Sequence, residues 1–272
     1  MQPLFTFIGG GNMGRALIGG LLAHSHTPAQ IRVADSIAAA RNACESEFEV
    51  AVFDDNSQAI AGADAIVLAV KPQQMREVAS ALDTTLASGA IYLSIAAGLT
   101  TTHLQSWLGE DRAIVRAMPN TPALVGRGAA AMYATSAVTP AQRELAYRLM
   151  SAVGYAAWVE QEAALDAVTA ISGSGPAYFF LFIELIEKVA IELGLESELA
   201  RRLALETALG ASSLACDSDS PPATLRQQVT SPGGTTERAL ASFSAAKLEE
   251  IVRAALTAAR DRSVELAAEV KA

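Results

Sequence analysis

Three glycines set the first chemical question. Gly9, Gly11 and Gly14 stand in the stretch GGGNMG at the spacing G-x-G-x-x-G. Upstream, PLFTFIG reads as a buried strand. Downstream, MGRALIGGLLAH carries apolar residues three and four apart and reads as a helix. In that strand–turn–helix setting the spacing suits a pyrophosphate. Gly9 permits the tight turn, Gly11 lets the backbone approach the phosphates, and Gly14 lets helix and strand pack closely. Free N–H groups at the helix start then face the anion. Asp35 ends a second strand, IRVAD, 21 residues after Gly14. An acid there holds ribose hydroxyls and repels a 2′-phosphate. Ser36 and Arg41 nearby suit such a phosphate, and capping the helix that starts at Ser36 is a third use for Asp35. The chemistry is dinucleotide binding, with NADPH and NADH both open.

Other segments fall where a ligand would lie. LAVKP puts Lys71 at the carboxyl end of a strand, the edge at which open α/β sheets bind ligands, and Pro72 suits the first turn of the next helix. SIAAG, Ser94 to Gly98, ends a further strand with small residues that leave room for a flat ring. MPNTP holds Asn120 between two prolines at the same edge. ISGSGPAY strips away side chains at Ser172–Gly175 just before an aromatic helix, either for a turn or for something lying flat on the backbone. TSPGGTTERAL is a second glycine-rich turn entering a helix. Its Gly233 and Gly234 expose N–H groups that form a small nest for a carboxylate, or Thr235 or Thr236 serves as an ordinary cap. His24, His26 and His103 read as surface residues rather than catalysts, and no metal-ligand cluster or hydrolase motif accompanies them.

The elements that must carry these segments alternate over residues 1–160. Strand-like runs (PLFTFIG, IRVAD, ADAIVLAV, GAIYLSIAAG, RAIVRAMP, GRGAAAMYA, YAAWVE) interleave with helical ones, which implies a parallel, doubly wound α/β sheet. TPAQRELAYRLMSAVG is a helix capped by Thr139, with Pro140 first and Gly154 after its end. Strand signals vanish over residues 161–272, where helices are expected at roughly 162–171, 176–193, 196–216, 221–229 and 235–268, the last broken near Ser244. Several are apolar all round and need burial, so this all-α half is expected to pack on another subunit. The net charge, 20 − 29 = −9, with only four lysines, argues against nucleic acid and anionic membranes. Glu184, Glu187, Lys188 and Glu192 argue against a membrane span in the greasiest helix. Cys44 and Cys216 lie far apart, and MQPLF lacks a charged leader; a reduced, cytoplasmic setting follows.

Taken together, IGGGNMGRALIGGL, AVKP, SIAAGL, RAMPNTP, ISGSGPAY and VTSPGGTT, in that order, resemble the pyrroline-5-carboxylate reductase family over nearly the whole chain. The resemblance implies an amino-terminal Rossmann domain and a helical domain that interlocks with its partner in a homodimer, which assembles further into rings such as decamers. It implies reduction of a cyclic imine, 1-pyrroline-5-carboxylate, to L-proline by hydride from NADPH or NADH. It places the dinucleotide against Ile8, Gly9, Gly10, Gly11, Asn12, Met13 and Gly14, and against Asp35, Ser36 and Asn56. Ala69, Val70, Lys71, Pro72, Ile95, Ala96 and Ala97 frame its nicotinamide end. It places the substrate carboxylate at the N–H groups of Gly234, Thr235 and Thr236, with Asn120, Ser174, Ser231 and Gly233 beside the substrate. The Thr236 hydroxyl faces the ring nitrogen as the catalytic group. Asp35 departs from what strict NADPH specificity would favour. Two other readings compete. A β-hydroxyacid dehydrogenase would need a lysine soon after a glycine pair on the first helix of its second domain, yet GPAYFFLFIEL has none before Lys188. A non-catalytic dinucleotide sensor would not need the Thr236 hydroxyl.

Overall fold

A computed structural model describes residues 3–24 and 26–270. Its first strand, β1 (Phe5–Ile8), is buried along its whole length, as the run PLFTFIG implies. It leads into α1 (Asn12–Ala23), whose Leu17, Ile18 and Leu21 point into the core. The alternation continues through β2 (Ile31–Ala34), α2 (Ala38–Phe48), β3 (Ala51–Phe53), α3 (Asn56–Ile60), β4 (Ala65–Leu68), α4 (Pro72–Ala81), β5 (Ile91–Ser94), α5 (Thr101–Leu108) and β6 (Ala113–Met118). Then come β7 (Gly128–Ala134), α6 (Pro140–Ser151) and β8 (Gly154–Trp158). The eight strands form one sheet in the order β3-β2-β1-β4-β5-β6-β7-β8. β1 lies at the point where the strand order reverses, and its carboxyl end carries the glycine turn.

The sheet departs from the all-parallel expectation at one place. β6 and β7 pair antiparallel, Met118 opposite Ala131 and Val115 opposite Ala134. Between them lies only a short segment with one turn of 3₁₀ helix at Thr121–Val125, too short for the crossover that a parallel return needs. β8 then pairs parallel to β7 through the α6 crossover. Thr139 caps α6 as expected, its hydroxyl accepting from the Gln142 N–H at 3.3 Å. Apolar clusters fill both faces of the sheet, one around Phe5, Phe7 and Leu17, the other around Ile66, Met75 and Tyr92. β3 and α3 had no counterpart in the sequence pattern.

After β8 the chain is helical: α7 (Ala164–Val168), a π turn over Thr169–Gly173, α8 (Gly175–Glu192), α9 (Ser197–Asp217), α10 (Pro222–Gln228), α11 (Thr235–Ala245) and α12 (Leu248–Glu269). The interruption expected near Ser244 falls at Ala246–Lys247, where Lys247 takes φ 56°. Two compact units emerge. One comprises residues 1–174 with 258–272, the other residues 175–257. The composition change near residue 160 and the break in compactness after Ser174 are different features, because α7 and its π turn pack beside β7. Within the second unit α8 and α9 pack together, joined by a short turn through Gly194. By length and composition alone, Ala164–Glu192 could cross a membrane, and little of it is buried. Phe179, Phe180, Leu181 and Ile186 on α8 are all more than half exposed.

Candidate active site

The glycine turn is built by close backbone approaches. Gly9 takes φ +107°, and a Cβ there would stand 2.7 Å from the Ala69 carbonyl oxygen at the end of β4. A Cβ on Gly14 would stand 2.7 Å from the Gly9 carbonyl oxygen. Both positions exclude a side chain through the protein's own backbone. Gly11 differs, because a Cβ there would meet nothing within 4 Å. The space above Gly11 is open, and α1 begins directly beneath it with no acidic residue in its first turn. The first N–H groups of a helix lack intrahelical partners. The turn therefore fits a phosphate group that approaches where the Gly11 side chain would have been.

A cleft of 220 Å³ opens beside this turn. Ile8, Gly9, Gly11, Asp35, Ser36, Asn56, Ala69, Val70 and Lys71 line it, together with Ala34, Ile37, Asp54, Gln74 and Val78. Gly10, Asn12, Met13, Gly14 and Pro72 adjoin it in the same turns without lining it. Asn56 reaches the cleft as the first residue of α3, which the Asp55 carboxylate caps by accepting from the Gln58 N–H. Lys71 is exposed at the start of α4, and Pro72 occupies the first helical position.

Asp35 has a more specific task than sequence spacing conveys. Its Oδ2 accepts the Gly10 N–H at 2.8 Å, and its Oδ1 accepts the Ile37 N–H at 2.8 Å. One carboxylate thus ties the glycine turn to the turn after β2. The helix begins at Ala38, so Asp35 braces the entry to α2 rather than capping a helix that starts at Ser36. Arg41 donates from Nη1 to the Asp35 carbonyl at 2.7 Å, which parks a guanidinium beside exposed Ser36. Cys44 backs Gly10 from below, and burial pushes its thiol above the ordinary value.

Ile95, Ala96 and Ala97 follow β5 at the same sheet edge, with Ala96 N–H donating to Ser94 Oγ at 3.3 Å. Asn120, expected beside the substrate, is buried and engaged at both ends of its amide. Nδ2 donates to the Ser172 carbonyl at 2.9 Å, and Oδ1 accepts from the Ala129 N–H at 2.9 Å. It is a strut between the proline loop, β7 and the π turn. Gly173 admits the Met118 methyl, which would lie 2.5 Å from a Cβ. Ser174 N–H closes the π turn on the Thr169 carbonyl at 2.8 Å. Such turns recur at functional sites.

The second glycine turn belongs to the other unit. Gly234 is the residue before α11 and no side chain caps it, so Thr235 and Thr236 are the first two helical residues and the expected threonine cap is absent. Gly233 takes φ +70° and donates its N–H to the Glu237 carboxylate at 2.7 Å, while Gly234 N–H returns to the Ser231 carbonyl. The nest already holds a carboxylate, its own. The N–H groups of Thr235 and Thr236 have no helical partner at this end.

The histidines stay out of these sites. His24 ends α1, and His26 packs edge-on against Phe5. His103 is more enclosed than a surface residue: its Nδ1 accepts from the Thr100 N–H, its ring stacks on Trp107, and burial lowers its pKa. Sequence spacing did not single out Glu162, Arg116 or Thr101, which form a partly buried polar cluster between β6 and the start of α5.

The family described as pyrroline-5-carboxylate reductase dimerisation matches residues 162–266. The family described as NADP oxidoreductase, coenzyme F420-dependent, matches residues 4–98, the glycine turn and cleft. A pyrroline-5-carboxylate reductase of Pseudomonas aeruginosa is 50% identical over 97% of both chains. One of Glycine max is 36% identical over 96% of this chain and 94% of its own. Among solved structures, a pyrroline-5-carboxylate reductase from Coxiella burnetii superposes with TM-score 0.94 at 41% identity, covering 98% of this chain and 99% of that one. The Plasmodium falciparum pyrroline carboxylate reductase with NADP bound superposes with TM-score 0.86 at 28% identity over 98% of each chain.

Proposed function

The chain belongs to the pyrroline-5-carboxylate reductase family, and from that premise we propose that it reduces 1-pyrroline-5-carboxylate to L-proline with NADPH or NADH, the last step of proline biosynthesis. The observation that carries the dinucleotide half is the open space over Gly11, flanked by glycines that the backbone alone forbids from bearing a side chain. The bound nucleotide supplies the hydride. The protein's own residues bind, orient and exclude water.

Gly11 and the start of α1 receive the pyrophosphate, with Ile8–Gly14 as its cradle. Asp35, Ser36 and Asn56 hold the adenosine side, and Arg41 is placed for a 2′-phosphate. Ala69–Pro72 and Ile95–Ala97 frame the nicotinamide end. The substrate carboxylate binds the N–H groups of Thr235 and Thr236 and takes that of Gly234 from the Ser231 carbonyl, while Glu237, on the Gly233 N–H, competes for the same nest and Ser231 and Gly233 complete the turn. An imine is basic enough to be protonated before hydride arrives. The imine carbon then takes the hydride, the π pair of C=N moves to nitrogen, and a neutral ring amine results. No strong protein acid is required, and alignment supplies most of the rate. The Thr236 hydroxyl meets the nitrogen and follows its change of charge. Asn120, bonded at both ends of its amide to Ser172 and Ala129, acts by holding the rim beside Ser174.

Residues 161–272 act as the substrate and dimerisation domain. The exposed Phe179, Phe180 and Ile186 of α8 support covering by a second copy of the chain. Assembly of dimers into a decamer is the finer part of this proposal. Two free cysteines, one of them exposed, suit a cytoplasmic enzyme.

Steady-state oxidation of NADPH and NADH with pyrroline-5-carboxylate tests the assignment; absence of turnover with both nucleotides overturns it. Thr236→Ala is expected to lower kcat more than tenfold, the usual scale of acid–base contributions. A wild-type kcat in that variant removes Thr236 from the chemistry.

A further inference from the structure

Glu162, just before α7, is the acceptor at the centre of a partly buried cluster, its own side chain 21% exposed. Its Oε1 accepts from the Thr101 N–H at 2.7 Å and from Arg116 Nη1 at 3.2 Å, and its Oε2 accepts from Thr101 Oγ1 at 2.6 Å. Thr101 is 5% exposed and Arg116 3%. What the cluster grips is a loop. Thr101 is the first residue of α5, immediately after Ile95–Thr100. Arg116 stands on β6 directly opposite Ser94, the last residue of β5 before that loop. One carboxylate therefore holds the far end of the segment directly at Thr101 and, through Arg116, the strand paired with its near end.

The loop is also anchored by fully buried Leu99 and buried Ala96 in the core and by the Ala96 N–H on Ser94 Oγ. The side chains of Ala96 and Ala97 are methyl groups that make no polar bond, so the side-chain polar ties lie at its ends. Gly98 takes φ +73°, and a Cβ there would stand 3.3 Å from Leu266 Cβ, so the end of α12 supports the loop from behind. That end is itself tied down by Ser263 Oγ, which donates to Asp166 Oδ1 at 2.7 Å, four residues beyond Glu162. A partly buried ion pair of this kind is a poor device for stability, because desolvation of the buried guanidinium offsets much of its attraction. Its distinctive capacity is to fix a geometry.

We propose that Glu162 is a positioning residue for hydride transfer: through Thr101 and Arg116 it fixes the Ile95–Ala97 segment that frames the nicotinamide. This rests on the reductase reading above. Misplacing a reacting group by about 1 Å costs on the order of a hundredfold in rate, so a slackened loop lowers kcat while leaving the adenosine side of the cleft intact.

The test uses the full-length enzyme with Thr101→Val, which deletes one hydrogen bond and keeps the ion pair, with Glu162→Gln, and with Thr101→Ser as the conservative rescue. The readouts are kcat with NADPH and pyrroline-5-carboxylate, Kd for adenosine 2′,5′-bisphosphate, and Tm. The expected result is a kcat lowered about tenfold or more in Thr101→Val, an unchanged Kd for the adenosine probe, and recovery in Thr101→Ser. If Glu162→Gln does not fold, Thr101→Val decides alone. A wild-type kcat in folded Thr101→Val overturns the proposal, as does a kcat that falls only together with probe affinity and Tm. A wild type that reduces no imine overturns the reductase reading and this inference with it; an active wild type with unaffected variants overturns this inference alone.

Discussion

Gly11→Ala separates a glycine required by a ligand from glycines required by the fold. Gly11 sits at φ −73° and ψ −179°, extended backbone that alanine adopts freely, and its added Cβ would touch nothing within 4 Å. Restricting the unfolded chain stabilises by about 0.4–1 kcal/mol, and losing glycine at a helix start costs about the same. The variant's stability should thus lie within about 1 kcal/mol of wild type. Gly9→Ala provides the contrast. Its φ of +107° costs an L-residue about 1–2 kcal/mol, and forcing a methyl to 2.7 Å from the Ala69 carbonyl adds about 1–3 kcal/mol of overpacking. Thermal unfolding with and without NADPH is the assay. A ligand at a hundred times its Kd stabilises the native state by about 2.7 kcal/mol, which in a chain of this size raises Tm by roughly 5–10 °C. Wild type should show that rise. Gly11→Ala should unfold near the wild-type temperature without NADPH and show little or no rise with it. A full NADPH-induced rise in Gly11→Ala refutes close approach of the pyrophosphate to this backbone.

The remaining predictions concern charge. Arg41→Ala should raise KM for NADPH by roughly 10- to 150-fold, the size of a lost charge-assisted hydrogen bond, with little change for NADH; an unmoved ratio of kcat/KM removes Arg41 from the 2′-phosphate. Asp35→Ser should shift that ratio toward NADPH while weakening both nucleotides, because Gly10 N–H loses its acceptor; a shift with no common loss contradicts the bracing role. Glu237→Gln should lower KM for the imine by up to about fivefold, the scale of an exposed charge interaction, and a raised KM would mean that Glu237 shapes the nest instead of competing for it. Burial lowers the His103 pKa, so the folded state favours the neutral ring that accepts from Thr100 N–H. Unfolding then takes up a proton, so this contribution is fully present above the unfolded value of about 6.5 and is lost as pH falls below it. Tm measured from pH 7.5 downward should fall, and His103→Gln, which keeps the capping acceptor, should flatten that fall.

The legible parts of the chain were those where backbone geometry dictates residue type locally. Gly9 and Gly14 are glycines because a carbonyl stands where their Cβ would be, and such constraints recur at fixed spacing. Thr139 and Pro140 announce α6 because caps and first turns have narrow preferences. Reversal of β7 was not legible, since strand direction depends on the reach of a connection and not on the strand's own composition. β3 is three residues long and buries nothing fully, so it has no periodic signature. At the second nest, Gly234 and Thr235 are both good residues for a helix start, and the choice between them is set by the chain's approach. Glu162 was invisible for a different reason: its partners lie 61 and 46 residues away, and no local pattern records such a meeting.

Asp35, Asn120 and Glu162 share a logic that follows from the reaction. A chemistry that demanded a strong acid would reserve carboxylates and amides for the substrate. Reduction of a protonated imine makes no such demand, and here these polar side chains hold backbone. Asp35 grips Gly10 and Ile37, Asn120 bridges Ala129 and Ser172, and Glu162 grips Thr101. Each bond starts from or ends on a segment just beyond a strand's carboxyl end or at the π turn. There the backbone is irregular and cannot be fixed by sheet or helix bonding alone. Bare backbone can approach a flat ring or a phosphate closely, but without side chains it has few contacts of its own to fix its position. Polar side chains of short reach, placed behind such turns, supply that position without occupying the space the ligands need.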